Sequence, residues 1–124
     1  MHHHHLRQPL CARRLDAYKV ALQLQQYLQP LVDRMQRTKS THEHAQQLLR
    51  SLPSITNNLC EAMRRTGGDR PHLLTVALGS ADEIRSTIDS VVITGAMTPE
   101  QAAHADGLAD RYCAMVFRLR QRCG

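Results

Sequence analysis

The sequence predicts an all-α protein, an antiparallel up-down-up-down four-helix bundle. Apolar residues recur at alternating steps of three and four through four segments, which is typical of helices that turn one stripe toward a common core. No segment shows the apolar and polar alternation of a strand. The connections between the segments are short, so that helices adjacent in sequence must lie side by side.

The composition agrees with one helical core. The chain has 124 residues, which is enough for one domain. Aromatic residues make up 3% and Trp is absent, so the core must be built from aliphatic side chains. His2 to His5 follow Met1, and we expect residues 1–12 to be a purification tag or a disordered segment. Residues 13–124 are then the bundle.

The first two helices each contain a proline. Pro30 and Pro53 remove one backbone hydrogen bond each and predict local kinks. Ser40 and Glu43 have the spacing of a capping box at the start of the second helix. The two predicted core stripes are Ala17, Ala21, Leu24, Leu28, Leu31 and Met35, and then Ala45, Leu48, Leu52, Ile55, Leu59 and Met63.

The turn between the second and third helices contains two glycines. Gly67 and Gly68 are expected to end the second helix with a left-handed residue. Asp69 or Arg70 is expected to cap the third helix, with Pro71 in its first turn. The predicted core stripe of this helix is Leu74, Ala77, Ala81, Ile84, Ile88 and Val91.

The start of the fourth helix has the clearest signal in the chain. Gly95 is expected to end the third helix, and Thr98, Pro99 and Gln101 then supply a cap, a first-turn proline and a capping-box partner. The fourth stripe is Ala105, Leu108, Tyr112, Met115 and Leu119.

Two segments carry a family resemblance. Residues 54–62 read Ser-Ile-Thr-Asn-Asn-Leu-Cys-Glu-Ala, and residues 76–84 read Val-Ala-Leu-Gly-Ser-Ala-Asp-Glu-Ile. With residues 15–18 (Leu-Asp-Ala-Tyr), they resemble the signatures of small bacterial four-helix-bundle proteins encoded in intervening sequences of 23S ribosomal RNA genes. Thr56 and Ala62 depart from the family, which has proline and glycine there. The resemblance implies a ring-like homopentamer around a central channel.

The opening of the fourth helix shows a second likeness. Residues 96–101 are similar to the corresponding segment of the accessory variability protein of diversity-generating retroelements, a bundle of the same kind that partners a reverse transcriptase. The segments on the second and third helices fit the intervening-sequence family better.

Four residues of these segments form a candidate polar cluster. Asn58 and Glu61 share one face of the second helix, beside apolar residues, and a carboxylate there must be paired. One interpretation is a polar ligand site. The other, which we favour, is structural: Asn58 and Glu61 bond across to the third helix near Gly79 and Ser80, where the missing side chain lets the backbones approach.

The basic residues predict a candidate nucleic-acid interface. Lys and Arg total 16 against 11 Asp and Glu, a formal net charge of +5. Arginines cluster near the start of the first helix, around the connection between the second and third helices, and at the end of the fourth helix. These three places share one pole of an antiparallel bundle. A solvated basic surface that complements helix dipoles is the alternative. The predicted nucleic-acid-binding residues are Arg13, Arg14, Arg64, Arg65 and Arg70.

Neither a metal site nor a catalytic site is predicted. Bundles with two metal ions need Glu-x-x-His pairs, but Glu61 is followed at that spacing by Arg64 and Glu83 by Ser86. No Ser or Cys has a local His and carboxylate arrangement. We therefore expect no cofactor. The cysteines are scattered without C-x-x-C spacing, as in a reducing compartment: Cys11, Cys60, Cys113 and Cys123.

The sequence thus predicts a cytoplasmic, non-enzymatic scaffold that does not insert into membranes. Its expected partners are copies of itself and RNA or DNA held at the basic pole. The alternative is a protein-protein adaptor that binds an acidic partner without contacting nucleic acid.

Overall fold

The structure is a computed structural model that describes residues 15–65 and 68–123. Four helices make up the fold: α1 (Asp16–Gln36), α2 (His42–Arg64), α3 (Asp69–Thr94) and α4 (Pro99–Cys123). A short 3₁₀ helix, Lys39–Thr41, precedes α2. No strand occurs in these two ranges, which confirms the all-α prediction.

The helices form a closed square. α1 packs on α2 and α4, and α3 packs on the same two helices, whereas the diagonal pairs do not come within packing distance in the described part of the chain. Short connections make consecutive helices antiparallel. The start of α1, the end of α2, the start of α3 and the end of α4 therefore share one pole. The bundle is confirmed, and the assembly of five bundles stays a prediction.

The core consists of the predicted stripes with a few additions. All six stripe residues of α1 and of α3 are buried, and those of α2 and α4 are buried except at the ends nearest the shared pole. Five core residues that the stripes omitted lie on the flanks of the same helix faces: Val20, Val32, Ala62, Ala109 and Val116. A sixth, Met97, lies in the connection between α3 and α4.

The predicted boundary between α3 and α4 is confirmed in detail. Gly95 ends α3 with a left-handed φ of 83°, a conformation that glycine adopts without steric cost. The Thr98 amide donates to Gln101 Oε1 at 3.0 Å, and the Gln101 amide donates to Thr98 Oγ1 at 3.1 Å. This reciprocal pair is a capping box.

The predicted capping box at the start of α2 is wrong. Ser40 lies inside the 3₁₀ helix, and α2 begins at His42 after Thr41, whose side chain does not cap it. Thr41 Oγ1 instead donates to the Met35 carbonyl at 3.0 Å. The Thr41 hydroxyl therefore closes the end of α1 rather than the start of α2.

The turn between α2 and α3 also differs from the prediction. α2 ends at Arg64 because Arg65 adopts an extended backbone, with φ −99° and ψ 162°. Gly68 has a φ of −67°, so it does not supply the expected left-handed residue, and Gly67 lies outside the described residues. Asp69 is the first residue of α3 rather than its side-chain cap, whereas Pro71 lies in the first turn as predicted.

The two internal prolines lie on solvent-facing sides of their helices. α1 continues through Pro30 and α2 through Pro53, and both prolines are exposed. A proline has no backbone N–H to donate to the carbonyl four residues earlier. The main-chain carbonyls of Gln26 and Leu49 therefore lack that helical hydrogen bond. The core faces of both helices are uninterrupted.

Candidate nucleic-acid interface

The pole shared by the start of α1, the end of α2, the start of α3 and the end of α4 is rich in arginine. We define the basic pole by its described arginines. They are Arg64, Arg65, Arg70, Arg118, Arg120 and Arg122. The predicted site residues Arg13 and Arg14 lie outside the described residues. The structure thus places three of the five predicted binding residues, together with three further arginines of α4, at one end of the bundle.

Arg64 and Arg65 share one carboxylate on their own helix. Arg65 donates through Nε and Nη2 to Glu61 Oε2 at 3.0 and 2.6 Å, while Arg64 Nη1 is 3.9 Å from Glu61 Oε1. Asp69 is 4.0 Å from Arg65 Nη1. The hydrogen bond and charge of Arg65 lower the pKa of Glu61, and Glu61 raises the pKa of Arg65 in return. Both arginines are exposed, so their guanidinium groups stay open to solvent.

Arg70 closes the end of α2. Its Nε donates to the Ala62 carbonyl at 3.1 Å and its Nη2 to the Met63 carbonyl at 3.3 Å. The last carbonyls of a helix have no partners within the helix and carry the negative end of its dipole. Arg70 therefore has a structural role that the sequence did not predict, and it is less available to phosphate than Arg64 and Arg65.

The end of α4 brings three arginines beside the starts of α1 and α3. Arg120 Nη1 donates to Thr75 Oγ1 of α3 at 3.2 Å, and its guanidinium carbon lies 5.1 Å from the centre of the Phe117 ring. Arg118 and Arg122 line a groove of about 210 Å³ with Leu15, Asp16, Ala17, Met115 and Leu119. Both are exposed, and neither makes a hydrogen bond or ion pair with residues 15–65 or 68–123.

Part of the predicted polar cluster forms. Asn58 Nδ2 donates to the Ser54 carbonyl at 2.9 Å and to Ser54 Oγ at 2.8 Å. Ser54 Oγ is in turn 2.8 Å from Ser80 Oγ, which joins α2 to α3. Asn58 thus reaches Ser80 through Ser54, a residue of the same segment that the prediction did not include.

Glu61 and Gly79 do not belong to this cluster. Glu61 pairs with Arg65 on its own helix rather than with α3, a pairing that the spacing of four residues could have indicated. Gly79 is exposed, and a methyl group built on it would meet no atom within 4 Å. The expected close approach of backbones at Gly79 is therefore wrong for a single bundle.

A second charged network crosses from α3 to α4 halfway along the bundle. Arg85 donates to both oxygens of Asp106 at 2.8 and 3.0 Å and lies 3.5 Å from Asp110. The hydrogen bond with Asp106 raises the pKa of Arg85. Burial raises the pKa of the nearby Cys113 thiol, and the charge of Asp82 raises it further.

The remaining side chains of the described ranges include histidines, cysteines and carboxylates. No group of three His, Cys, Asp or Glu side chains could hold a metal ion there. His104 packs against Tyr27, with ring centroids 4.3 Å apart. None of the described helices combines the length and the apolar character needed to cross a membrane.

The helix order, the two signature segments and the arginine pole together define a small helical bundle of the intervening-sequence class. Residues 13–118 match the sequence profile of the 23S rRNA-intervening sequence protein family. The chain belongs to this family, as its resemblance predicted. Among curated proteins and solved structures, no significant match to the chain is found.

Proposed function

We propose that this protein is a non-catalytic scaffold that assembles as a homopentamer and binds nucleic acid through its basic pole. The observation that carries the proposal is the convergence of arginines from the ends of α2 and α4 and the start of α3 at one end of the bundle. Such a surface suits phosphate groups, because guanidinium forms planar, bidentate contacts with them. Arg13 and Arg14 belong to the proposed interface on the basis of the sequence.

The local carboxylates do not neutralise this surface. Glu61 and Asp69 together face Arg64 and Arg65. The other four arginines of the basic pole make no ion pair with the described residues. At the end of α4, Asp16 is the one carboxylate among the described residues that line the groove of Arg118 and Arg122. The dipole interpretation accounts for arginines in the last turns of α2 and α4. It also accounts for Arg70, which donates to the last carbonyls of α2, but not for Arg13 and Arg14, which precede α1 in the sequence.

The proposed assembly would bury apolar side chains that one bundle leaves in water. Leu22 on α1 is 40% exposed and Val76 on α3 is 38% exposed, although both belong to well-formed helices. Contacts between copies supply the burial that such side chains lack. A fivefold ring would also repeat the basic pole five times, which multiplies the phosphate contacts available to one polyanion.

Binding to a generic single-stranded RNA at several salt concentrations tests the nucleic-acid proposal. The logarithm of the association constant should fall with the logarithm of salt concentration, by about 0.7 per neutralised phosphate. Replacing Arg64 and Arg65 together by Gln should flatten this slope. The matched control replaces Arg34 and Arg37 by Gln, because both are exposed arginines near the opposite pole. The loss should be similar for different RNA sequences, since phosphate contacts carry no sequence information.

Two results would reject parts of the proposal. Absence of RNA and DNA binding at physiological salt would reject the nucleic-acid function and favour the adaptor that binds an acidic protein. For the assembly, light scattering in neutral buffer should give a mass near five chains. A monomer mass that does not change with concentration would reject the pentamer.

A further inference from the structure

Phe117 is an exposed aromatic residue at the edge of the basic pole. It is the only Phe in the sequence, and 45% of it is accessible to solvent. The Arg120 guanidinium lies over its ring at 5.1 Å, and the hydrogen bond to Thr75 fixes Arg120 against α3. A ring that helped only to fill the core would lie on the α4 stripe, whereas Phe117 follows the buried Val116 and faces outward.

A groove between α3 and α4 opens beside this ring. Its volume is about 570 Å³, and its apolar lining includes Leu78, Cys113, Ala114 and Phe117. Gly79 also lines it and leaves open space there. The polar lining residues can donate to or accept from the edge of a flat heterocycle. They are Thr75, Asp82, Arg85, Asp110 and Arg120.

We propose that this groove holds a base of single-stranded nucleic acid, stacked on the Phe117 and Arg120 pair. This inference rests on the proposed function and adds the strand type that the basic pole would select. Proteins that bind single strands combine a positive surface along the backbone with aromatic or arginine platforms on which bases stack. Here the platform lies near the end of α4, at the same pole of the bundle as the arginines proposed to bind phosphate. Bases in a duplex are stacked on one another and cannot enter such a groove.

The charge at the groove favours a base over a helix from a second copy as the occupant. Arg120 remains without a carboxylate partner among the described residues, although it lies at the apolar part of the groove. An apolar helix laid over it would bury that charge unpaired, which is costly. A nucleotide supplies both a base that stacks on the Phe117 and Arg120 pair and a negative charge that offsets the guanidinium.

The test compares three fluorescein-labelled probes by anisotropy with the full chain at low salt. They are a 20-nucleotide single-stranded RNA of mixed sequence, the duplex with its complement, and a strand of the same length made of abasic residues. The protein should bind the base-bearing single strand more tightly than the abasic strand. Phe117→Ala should weaken binding of the base-bearing strand by at least about fivefold and leave binding of the abasic strand unchanged. Phe117→Tyr should keep the preference.

A matched control is Ile93→Ala, because Ile93 is 87% exposed at the opposite pole. This variant should bind all three probes as the parent does. Equal binding of base-bearing and abasic strands by the parent overturns the inference and leaves the proposed function intact. If Phe117→Ala lowers the mass in light scattering, the groove is an interface between copies, and the inference is overturned. If no probe binds, the proposed function fails as well.

Discussion

The Tyr112 hydroxyl donates a 2.6 Å hydrogen bond to the main-chain carbonyl of Ile55. The bond crosses the diagonal of the bundle, because Tyr112 lies on α4 and Ile55 on α2, two helices that are not packing neighbours. Gln25 of α1 donates to the nearby Leu52 carbonyl at 2.8 Å. Two other helices thus hold α2 by main-chain carbonyls on either side of Pro53. Burial raises the pKa of Tyr112, so its hydroxyl stays a donor.

Tyr112→Phe should lower the free energy of unfolding by about 1 kcal/mol, the usual net value of one buried hydrogen bond. The measurement is urea denaturation followed by circular dichroism. Tyr27→Phe is the control, because Tyr27 packs on His104 and its hydroxyl makes no hydrogen bond with the described residues. Equal stability of Tyr112→Phe and the parent would show that the diagonal bond has no net effect.

Arg65→Gln should raise the pKa of Glu61 toward its usual value, because the hydrogen bond and charge of Arg65 are the largest causes of its depression. A depressed carboxyl pKa stabilises the fold above the pKa of the unfolded chain, and this contribution is lost as pH falls through the folded pKa. Carboxyl carbon NMR measures the titration directly. Arg64→Gln should raise the pKa of Glu61 less, since Arg64 Nη1 is 3.9 Å from Glu61 Oε1. A larger shift for Arg64→Gln would contradict this ranking.

Gly79→Ala should raise the free energy of unfolding by about 0.5–1 kcal/mol, since a methyl group meets no atom there and alanine is the better helix former. Gly107→Ala is the matched control, because Gly107 is also helical, exposed and surrounded by open space. Gly95→Ala should instead cost about 1 kcal/mol, because its φ of 83° disfavours a side chain. Thermal melts with light scattering measure all three. If Gly79→Ala alone lowers stability or mass, Gly79 lies at a contact between copies.

Cys113 should react slowly with iodoacetamide at pH 8, because burial and Asp82 raise the pKa of its thiol and only the thiolate is nucleophilic. Mass spectrometry of the labelled peptide gives the rate, and glutathione is the reference thiol. Asp82→Asn should shift the pH profile of the rate to lower pH, since it removes a negative charge. A profile that does not move would exclude Asp82 as a cause of the raised pKa.

The sequence was sufficient for the features that depend on helical periodicity and on neighbours within one turn. The stripes identified nearly the whole core, and the spacing of Thr98 and Gln101 identified a real cap. Ser40 and Glu43 have the same spacing without forming a cap, because Thr41 bonds back to α1 instead. The spacing of residues in the sequence does not reveal whether a hydroxyl will cap the start of one helix or bond the end of the helix before it.

Contacts between helices were harder to predict. The stripe of α4 predicts that Tyr112 lies in the core, but its bond to Ile55 depends on the width of the bundle across its diagonal. Arg70 was predicted as a phosphate ligand, yet the turn directs it onto the end of α2. The position of Glu61 beside apolar residues favours a bond to α3, but Glu61 pairs with Arg65, one turn away on the same helix. For Tyr112 and Arg70, the path of the chain between elements decides the pairing, and no residue pattern within an element specifies that path. The pairing of Glu61 with Arg65 could have been read from their spacing of four residues.

The groove at the basic pole in which Leu15, Asp16 and Ala17 meet Met115 and Leu119 has a topological consequence. The start of α1 lies beside the end of α4, so a short linker between them would close the chain into a loop of four helices. New termini opened between α3 and α4, at the opposite pole, would leave each helix against its two present neighbours. The permuted chain would then contain the four helices in a different order with the same packing. Each helix would keep its two neighbours, because the packing does not depend on which connection between helices is left open.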